Sequence, residues 1–239
     1  MGDQKKNVAS FNEDVLQDGV YAYYTDRLSC QLANSRIDEG ITNALDFSGL
    51  HILDVGSGDG TTAFFLQSLG AASVVGIDPA PNAVAAANKK SKDRGRHPAI
   101  SFIVSDIESF ESKKQFDLVI FSRVIHHLPD PATALRKASD LGHTVLIIEP
   151  NGWNPVLKVI EKLSAYHRAH DEKSYTSHRL RTWCSQAGFS TTHTMYVNLV
   201  PMFCPDMFAK LCHFIQPVAE KIPLIKCICC GQLLLHAKK

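Results

Sequence analysis

A glycine-rich turn near residue 55 carries the clearest chemical signal in the chain. It follows a short apolar run and leads directly into a segment with helical spacing. Glycine lets the backbone turn sharply and lets a ligand reach peptide groups without meeting a Cβ, and the first amides of a helix lack internal partners. The turn therefore predicts a site for a nucleotide-like ligand. Its residues are Asp54, Val55, Gly56, Ser57, Gly58, Asp59 and Gly60.

Acidic residues close the next two strand-like runs as well. Asp78 ends SVVGID and Asp106 ends ISFIVSD. Because ligands of open α/β sheets bind outside the carboxyl ends of the strands, these side chains and Asp54 are expected along one edge. An acid about 20 residues beyond the glycines is placed to accept hydrogen bonds from ribose hydroxyls. One such acid is often only a turn or cap residue, but three beside a glycine turn favour a ligand site.

The spacing of the glycines separates two classes of ligand. The dinucleotide fingerprint is Gly-x-Gly-x-x-Gly, whereas this turn reads Asp-x-Gly-x-Gly-x-Gly and begins with an acid. An acid at Asp54 suits a cation better than a pyrophosphate. Both features count against a nicotinamide-dependent oxidoreductase, which stays open as an alternative.

Short apolar runs alternate with segments of helical character between residues 51 and 150. This alternation predicts an α/β fold with a parallel sheet and helices on both faces. Pro131 suits the opening of a helix and Gly142 its end. Beyond residue 150 the pattern is less regular, with strand-like runs in STTHTMYVNLV and GQLLLHAKK. The predicted helices are Thr61–Leu69, Asn82–Arg94, Ala132–Leu141 and Ser177–Ala187.

Composition narrows the class of partner. The chain has 25 basic and 24 acidic residues, so no strong positive field gathers nucleic acid, and we expect none as a partner. The amino-terminal residues lack the apolar core of a secretory signal and no apolar stretch is long enough to span a bilayer, which predicts a cytoplasmic enzyme. Seven cysteines, an odd number, indicate free thiols. We expect no metal site, even at the cluster Cys227, Cys229 and Cys230.

In the glycine turn and the acids that close the next strands, the chain resembles the class I, Rossmann-like S-adenosylmethionine-dependent methyltransferases. Within that class it is most similar to the branch that modifies small molecules and lipids. The similarity is strong over residues 49–150 and looser over Ser177 to Phe189. One departure is Ser139 to His143, where relatives usually have Lys-Pro-Gly-Gly. The motifs are Asp54 to Gly60, Asp78-Pro79, Asp106-Ile107, Phe116 to Val119 and Glu149-Pro150-Asn151.

The resemblance implies S-adenosyl-L-methionine as the cofactor and S-adenosyl-L-homocysteine as the product. The glycine turn would pass under the methionine part, Asp78 would hold the ribose hydroxyls, and Asp106 with the Ile107 amide would meet the adenine. Pro79 would pack near the adenine or ribose. The implied cofactor-binding residues are Asp54, Gly56, Ser57, Gly58, Gly60, Asp78, Pro79, Asp106, Ile107, Ser122 and Tyr23.

The same resemblance implies a doubly wound, mostly parallel seven-stranded sheet whose last strand is antiparallel. We predict a single methyltransferase domain over residues 1–239. Residues 1–48 are its helical leader, 49–150 its cofactor-binding core, and 151–239 its acceptor-side helices and final strands. Three leader tyrosines either close over the cofactor or anchor the leader to the core. They are Tyr21, Tyr23 and Tyr24.

The candidate catalytic residues are His126 and Arg123, which follow the fourth strand-like run. Arg123, with Ser122, would border the acceptor pocket. His126 is the candidate general base, since a neutral imidazole can take a proton from an acceptor hydroxyl. The neighbouring His127 is expected to be a packing residue. Methyl transfer to a small-molecule acceptor, with oxygen slightly favoured, is the predicted reaction.

A helical insertion, Met202 to Cys230, is interrupted by Pro217 and Pro223. Its apolar residues either form a lid over an apolar, lipid-like acceptor or complete the core. Peripheral contact with a membrane through these helices stays open, as does the oligomeric state. A further alternative is a catalytically silent cofactor-binding protein that acts as a regulatory partner.

Overall fold

A seven-stranded sheet forms the centre of the protein in a computed structural model that describes residues 26–95, 99–163 and 173–239. The strand order is β3-β2-β1-β4-β5-β7-β6. The first five strands are parallel, and β7 lies antiparallel between β5 and β6. The predicted sheet, including its antiparallel last strand, is confirmed. The strands are β1 His51–Val55, β2 Ser73–Asp78, β3 Ile100–Val104, β4 Leu118–Ser122, β5 Thr144–Pro150, β6 Ser190–Val197 and β7 Gln232–Lys238.

Helices cover both faces of this sheet. The described helices are α1 Leu28–Thr42, α2 Thr61–Ser68, α3 Pro81–Asp93, α4 Pro131–Leu141, α5 Pro155–Leu163, α6 Ser177–Gln186, α7 Asp206–Ala219 and α8 Pro223–Cys229. Helices α4 and α6 pack with one face of the sheet and α1, α2 and α3 with the other. The central strands supply both layers because successive side chains alternate sides. Leu53 and Val55 enter the first layer, for example, and Ile52 enters the second.

Local sequence explains where several helices begin. Pro131 is the first residue of α4, and the Asp130 carboxylate accepts a hydrogen bond from the Thr133 amide at 3.1 Å. In α6, the Thr176 hydroxyl accepts from the Arg179 amide at 3.3 Å. Such caps satisfy amides that have no partner within the helix.

The last third of the chain departs from the sequence-based expectation in two ways. Pro217 lies inside α7, so the prediction that it interrupts the helix is wrong. It falls in the last turn, where only one backbone hydrogen bond is lost. Pro223 does separate two helices, since it opens α8. Helix α5 was not predicted, although its apolar residues recur at helical spacing.

The described residues also show what lies in the predicted leader and whether a described helix could span a membrane. Helix α1 lies within residues 1–48, the segment predicted as a helical leader, while Tyr21, Tyr23 and Tyr24 lie outside the described residues. None of the helices within residues 26–95, 99–163 and 173–239 is both long and apolar enough to cross a membrane.

Candidate functional site

Three acids stand where β1, β2 and β3 end, as the sequence predicts. Asp54 lies in β1 beside Gly76 of β2, and Asp78 is the last residue of β2. Asp106 follows β3 by two residues. The neighbouring strands are parallel and in register, so these ends meet at one edge of the sheet. This edge is the candidate site.

The glycine turn reaches this edge with a backbone that only glycine adopts readily. Gly56, Gly58 and Gly60 have φ of 69°, 51° and 82°, in the left-handed region that a Cβ disfavours. The Gly56 and Ser57 amides both donate to the Ile77 carbonyl, at 2.8 and 3.0 Å. The turn is thereby fixed against the end of β2.

Substituting Gly56 by alanine is expected to destabilise the fold far more than the same change at Gly49. Both have positive φ, 69° and 74°, so the backbone penalty is similar. A Cβ at Gly56 would lie 2.3 Å from Val124 Cγ2, whereas one at Gly49 would meet nothing within 4 Å. The excess loss at Gly56 should be about 1–3 kcal/mol, the usual cost of overpacking. Urea unfolding of both variants measures it, and equal losses would contradict the steric argument.

Asp54 is a buried carboxylate without a partner. It is 1% exposed, and neither oxygen has a hydrogen-bond partner within the described part of the chain. Burial, helped by the charge of Asp78, raises the pKa of Asp54 to about 8, while Arg123 opposes that rise. An unpaired buried carboxylate is costly, so this one is suited to a cationic ligand.

Asp78 is also buried, but it already holds the backbone. Its Oδ2 accepts from the Gly58 amide at 2.9 Å and its Oδ1 from the Ala80 amide at 2.8 Å. Burial raises the pKa of this carboxyl and the two amides oppose the rise. Each carboxylate oxygen has a second lone pair, so Asp78 can position the glycine turn and still accept from a diol.

Asp106, Ile107 and Pro79 form the outer part of the edge. Both hydrogen bonds of Asp106, from the Ser109 amide at 2.8 Å and the Ser109 hydroxyl at 2.6 Å, go to its Oδ1. The Ile107 side chain is buried in the core, which leaves its backbone as the group a ligand could meet. Pro79 is exposed at the end of β2.

Two serine hydroxyls that the sequence singled out are buried without partners among the described residues. Ser57 Oγ lies in the glycine turn and Ser122 Oγ at the end of β4. Because β4 neighbours β1, both hydroxyls belong to the same edge as Asp54. Such orphaned polar atoms are rare in native proteins, and they indicate a polar ligand here.

Asp59, the second acid of the turn, has a structural role. Its Oδ1 accepts from the Thr61 amide at 3.2 Å and the Thr61 hydroxyl at 2.8 Å at the start of α2. Its Oδ2 pairs with Lys90 Nζ at 2.7 Å. These contacts tie the turn to α3 and occupy both oxygens of Asp59.

Arg123 connects this edge with α1. It has φ of 59°, unusual for a residue other than glycine, and its amide donates to the Ile148 carbonyl at 2.7 Å. Its Nη1 donates to Asn34 Oδ1 at 3.3 Å. Burial raises the pKa of Asp38 to about 6, and Arg123 opposes that rise. Sequence reasoning missed Asn34 and Asp38, since polar residues on a helix usually face solvent.

His126 is held by a carboxylate that sequence reasoning did not assign a role. Glu149 is fully buried at the end of β5, and its Oε2 lies 2.6 Å from His126 Nδ1. Its Oε1 accepts from the Val124 and Ile125 amides at 2.9 and 2.8 Å. The available signal was a charged residue closing the apolar run VLII.

The remaining site predictions concern His127, Tyr23 and metal ligands. The His127 ring lies against that of His126, with centroids 3.9 Å apart, in keeping with a packing residue. Tyr23 lies outside the described residues. In the part of the chain that the structure describes, no group of three or more His, Cys, Asp or Glu residues could hold a metal ion.

The edge therefore offers polar groups on successive strands that could bind the sulfonium and adenosyl parts of S-adenosylmethionine. Asp54 supplies a carboxyl group near the glycine turn that a bound cation would hold ionised, Asp78 supplies acceptors one strand away, and Asp106 lies beyond it. His126 and Glu149 lie on the other side, at the ends of β4 and β5. The donor set fits the cofactor that the sequence implied.

Comparison with known proteins gives an independent result. A family model described as a methyltransferase domain matches residues 46–196, well over half of the chain. The ubiquinone biosynthesis O-methyltransferase of Bradyrhizobium diazoefficiens is 33% identical over 104 residues, 44% of this chain and 38% of that protein. The mitochondrial protein of that name from Dictyostelium discoideum is 32% identical over 118 residues, 46% of this chain and 36% of its own length. The chain thus spans well under half the length of these relatives.

Solved structures share the fold over nearly the whole chain. The magnesium protoporphyrin IX methyltransferase of Synechocystis, crystallised with SAM, has a TM-score of 0.64 at 14% identity and covers 98% of this chain and 97% of its own. The cyclase SpnF has a TM-score of 0.67 at 18% identity, with 98% and 93% covered. The chain therefore belongs to the methyltransferase-domain family and has the class I, Rossmann-like fold.

Proposed function

We propose that this protein transfers the methyl group of S-adenosylmethionine to a small-molecule acceptor, with an oxygen nucleophile favoured. The observation that carries the proposal is the buried Asp54 carboxyl group beside the glycine turn, which has no hydrogen-bond partner among the described residues. A pyrophosphate would be repelled there, whereas the positive charges of this cofactor would be stabilised. Membership of the methyltransferase family supports the same choice over a nicotinamide cofactor.

In this proposal different residues bind different parts of the cofactor. Asp54, Ser57 and Ser122 bind the polar methionine end, and the backbone of Gly56, Gly58 and Gly60 lies beneath it. Asp78 accepts from the ribose hydroxyls, while Asp106, the Ile107 amide and Pro79 border the adenine. Tyr23 keeps its predicted place over the cofactor. When bound, the cofactor supplies an already activated methyl group, so no covalent enzyme intermediate is needed.

On the acceptor side, His126 is the proposed general base. Glu149 faces Nδ1, so the acceptor proton is taken at Nε2 and the resulting imidazolium is stabilised by the carboxylate. Arg123 is proposed to hold α1 beside the site through Asn34. The chain's own contribution is then to orient the acceptor, exclude water and accept one proton.

The class of acceptor is supported by the relatives. Those reported above are named as O-methyltransferases of ubiquinone biosynthesis, which favours a small acceptor with a hydroxyl group. The near balance of charge favours such an acceptor over nucleic acid. One structural neighbour, SpnF, is named as a cyclase and not as a methyltransferase, so the fold does not by itself require methyl transfer, and a catalytically silent cofactor-binding protein stays the second candidate.

Substituting Asp78 by asparagine tests the cofactor site. One carboxylate oxygen is replaced by an NH2 group, which cannot accept from a diol, and the charge is lost, so we expect the S-adenosylmethionine Kd to rise at least about tenfold. Isothermal titration calorimetry measures it. The matched control is Asp117→Asn, because Asp117 also accepts a backbone amide beside β1, from His51 at 2.8 Å, but at the opposite end of the strand. An unchanged Kd in folded Asp78→Asn, with Asp117→Asn also unchanged, would refute the assignment.

Incubation of the protein with the cofactor and a cell extract separates the two candidate functions. An enzyme yields S-adenosylhomocysteine together with one extract compound that has gained a methyl group. A silent cofactor-binding protein binds with the same affinity and yields neither. Mass spectrometry of the extract then identifies the acceptor directly.

A further inference from the structure

Helix α7 turns its small side chains inward and its large apolar side chains outward. Ala209, Cys212 and Ala219 are buried against the protein. The exposed apolar residues recur at helical intervals and share a second face of the helix. They are Met207, Phe208, Leu211, Phe214, Ile215 and Val218.

This arrangement is the reverse of an ordinary surface helix, which buries its large apolar residues and exposes polar ones. Met207 is 83% exposed and Phe214 is 81% exposed. The inward face is therefore shaped for close approach of the helix to the core. The outward face is shaped for contact with something apolar, and contiguous apolar patches of this kind mark interaction sites.

The neighbouring helices extend the apolar surface. Leu224 and Ile228 of α8 are exposed. Helix α5 buries none of its residues, and its exposed apolar residues again share one face. The Asn154 side chain, just before α5, donates to the Cys229 and Cys230 carbonyls at 3.1 and 3.2 Å and so ties α5 to the end of α8.

Basic side chains accompany these apolar residues. Lys210, Lys221 and Lys226 form no ion pair with any acidic residue within 26–95, 99–163 and 173–239. Glu220, between α7 and α8, is already neutralised by Arg36, which donates to both of its oxygens. Asp206, in the first turn of α7, is the other acidic residue of this surface, so three lysines against one acid leave the surface positive, in a protein whose overall charge is only +1.

We propose that the face formed by α7 and α8 docks on a bilayer that contains anionic phospholipid. The apolar side chains enter the boundary of the acyl chains, and the lysines extend to the lipid phosphates. A second copy of this chain fits less well, because a two-fold interface would bring the same lysines of both copies together. The proposal goes beyond methyl transfer and does not depend on it.

The docking face is physically connected to the candidate site. Helix α1 packs on α7 through Ala33, which clusters with Ala209 and Cys212, and through the pair of Arg36 with Glu220. The same helix carries Asn34, which accepts from Arg123. A bilayer on α7 would therefore lie one helix away from the residues proposed to border the acceptor pocket.

Sedimentation with vesicles tests the proposal on the full chain, without cofactor or acceptor. One set of vesicles is phosphatidylcholine alone, and the other has phosphatidylglycerol as about one quarter of its lipid. We expect the protein to sediment with the anionic vesicles and much less with the neutral ones. The double variant Met207→Gln/Phe214→Gln replaces two exposed residues by glutamine, which is compatible with a helix. Its binding to the anionic vesicles should fall at least about tenfold.

A control variant away from α7 and α8 and a set of lysine variants test the apolar and the charged contributions to vesicle binding. Ile103→Thr/Val104→Thr removes two exposed apolar residues from the edge strand β3 and should bind vesicles as the wild type does. Lys210→Gln, Lys221→Gln and Lys226→Gln should each weaken binding to anionic vesicles by about fivefold. That loss should shrink at high salt.

Several results would overturn the proposal. The wild type could remain in the supernatant with both vesicles, or the Met207→Gln/Phe214→Gln protein could sediment like the wild type. A concentration-dependent dimer that this variant abolishes, in a protein that ignores vesicles, would assign the face to a second copy instead. Because none of these measurements involves methyl transfer, their failure leaves the proposed function untouched.

Discussion

Replacing Asp54 with asparagine should stabilise the cofactor-free protein at alkaline pH and weaken cofactor binding at the same time. The folded-state pKa of about 8 lies above the ordinary value of 3.8, so folding favours the protonated carboxyl. Its contribution is fully present below about pH 4 and is lost as pH rises through 8. The loss is of the order of several kcal/mol, and asparagine, which does not ionise, avoids it.

Thermal unfolding at pH 5.5 and pH 9 measures this effect. The melting temperature of Asp54→Asn should exceed that of the wild type at pH 9 by on the order of 5–10 °C, and by much less at pH 5.5. The control, Asp46→Asn, changes an exposed carboxylate that accepts from the Ser48 amide, and its difference from wild type should not grow with pH. S-adenosylmethionine should bind Asp54→Asn at least about tenfold more weakly. A variant that loses stability at pH 9 would contradict the unpaired state of Asp54.

Removing the Glu149 side chain should be the most destabilising single change at the site. Glu149→Ala leaves the Val124 and Ile125 amides and His126 Nδ1 without their acceptor in a fully buried position. Breaking a buried, charged network in this way costs about 3–5 kcal/mol. Urea unfolding gives the value. Glu111→Ala is the contrast, because Glu111 is 88% exposed and pairs only with Lys137, so its change should stay below about 1 kcal/mol.

The conservative variant Glu149→Gln separates stability from catalysis. Glutamine retains an oxygen for the two amides, so the fold should survive, but the charge that stabilises a protonated His126 is gone. We expect kcat to fall by about 10²–10³-fold for an oxygen acceptor, while the Kd of the cofactor stays unchanged. An unchanged kcat would restrict Glu149 to a structural role.

The cofactor half of the site could be predicted because its signals are local. Asp54 and Asp78 close β-branched runs, and the glycines between them require positive φ, so residue type and place along the chain are sufficient. The predicted bounds of α2, α3, α4 and α6 differ from the observed bounds by no more than one residue at any end. Strand alternation also predicted a parallel sheet with helices on both faces, whereas the seven strands and the antiparallel last strand followed from the family resemblance.

The acceptor half could not be predicted in the same way because its contacts are long-range. His126 meets Glu149 across 23 residues, and Arg123 meets Asn34 across 89. No pattern along the chain specifies which of two buried charges will meet. These residues were visible as types, but their partners depend on which strands lie side by side.

Helix α7 shows a different limit of periodicity. Its apolar residues were found, but they occupy two faces, and the spacing alone does not say which face is buried. The structure resolves this by size, with Ala209 and Ala219 inside and Phe214 outside. Of the two alternatives for this segment, completion of the core does not account for the large side chains of α7, most of which face solvent, and the apolar lid stays a prediction.

The position of β7 between β5 and β6 has a consequence for how the chain is made. Strand β6 is completed some 35 residues before β7 begins, yet β7 is its only neighbour in the described sheet. On the ribosome, β6 must therefore remain without a strand partner until β7 has emerged and paired with β5. Interrupting synthesis within α7 or α8 would yield a five-stranded parallel sheet with the β5 edge open, a species that is prone to pair with other chains.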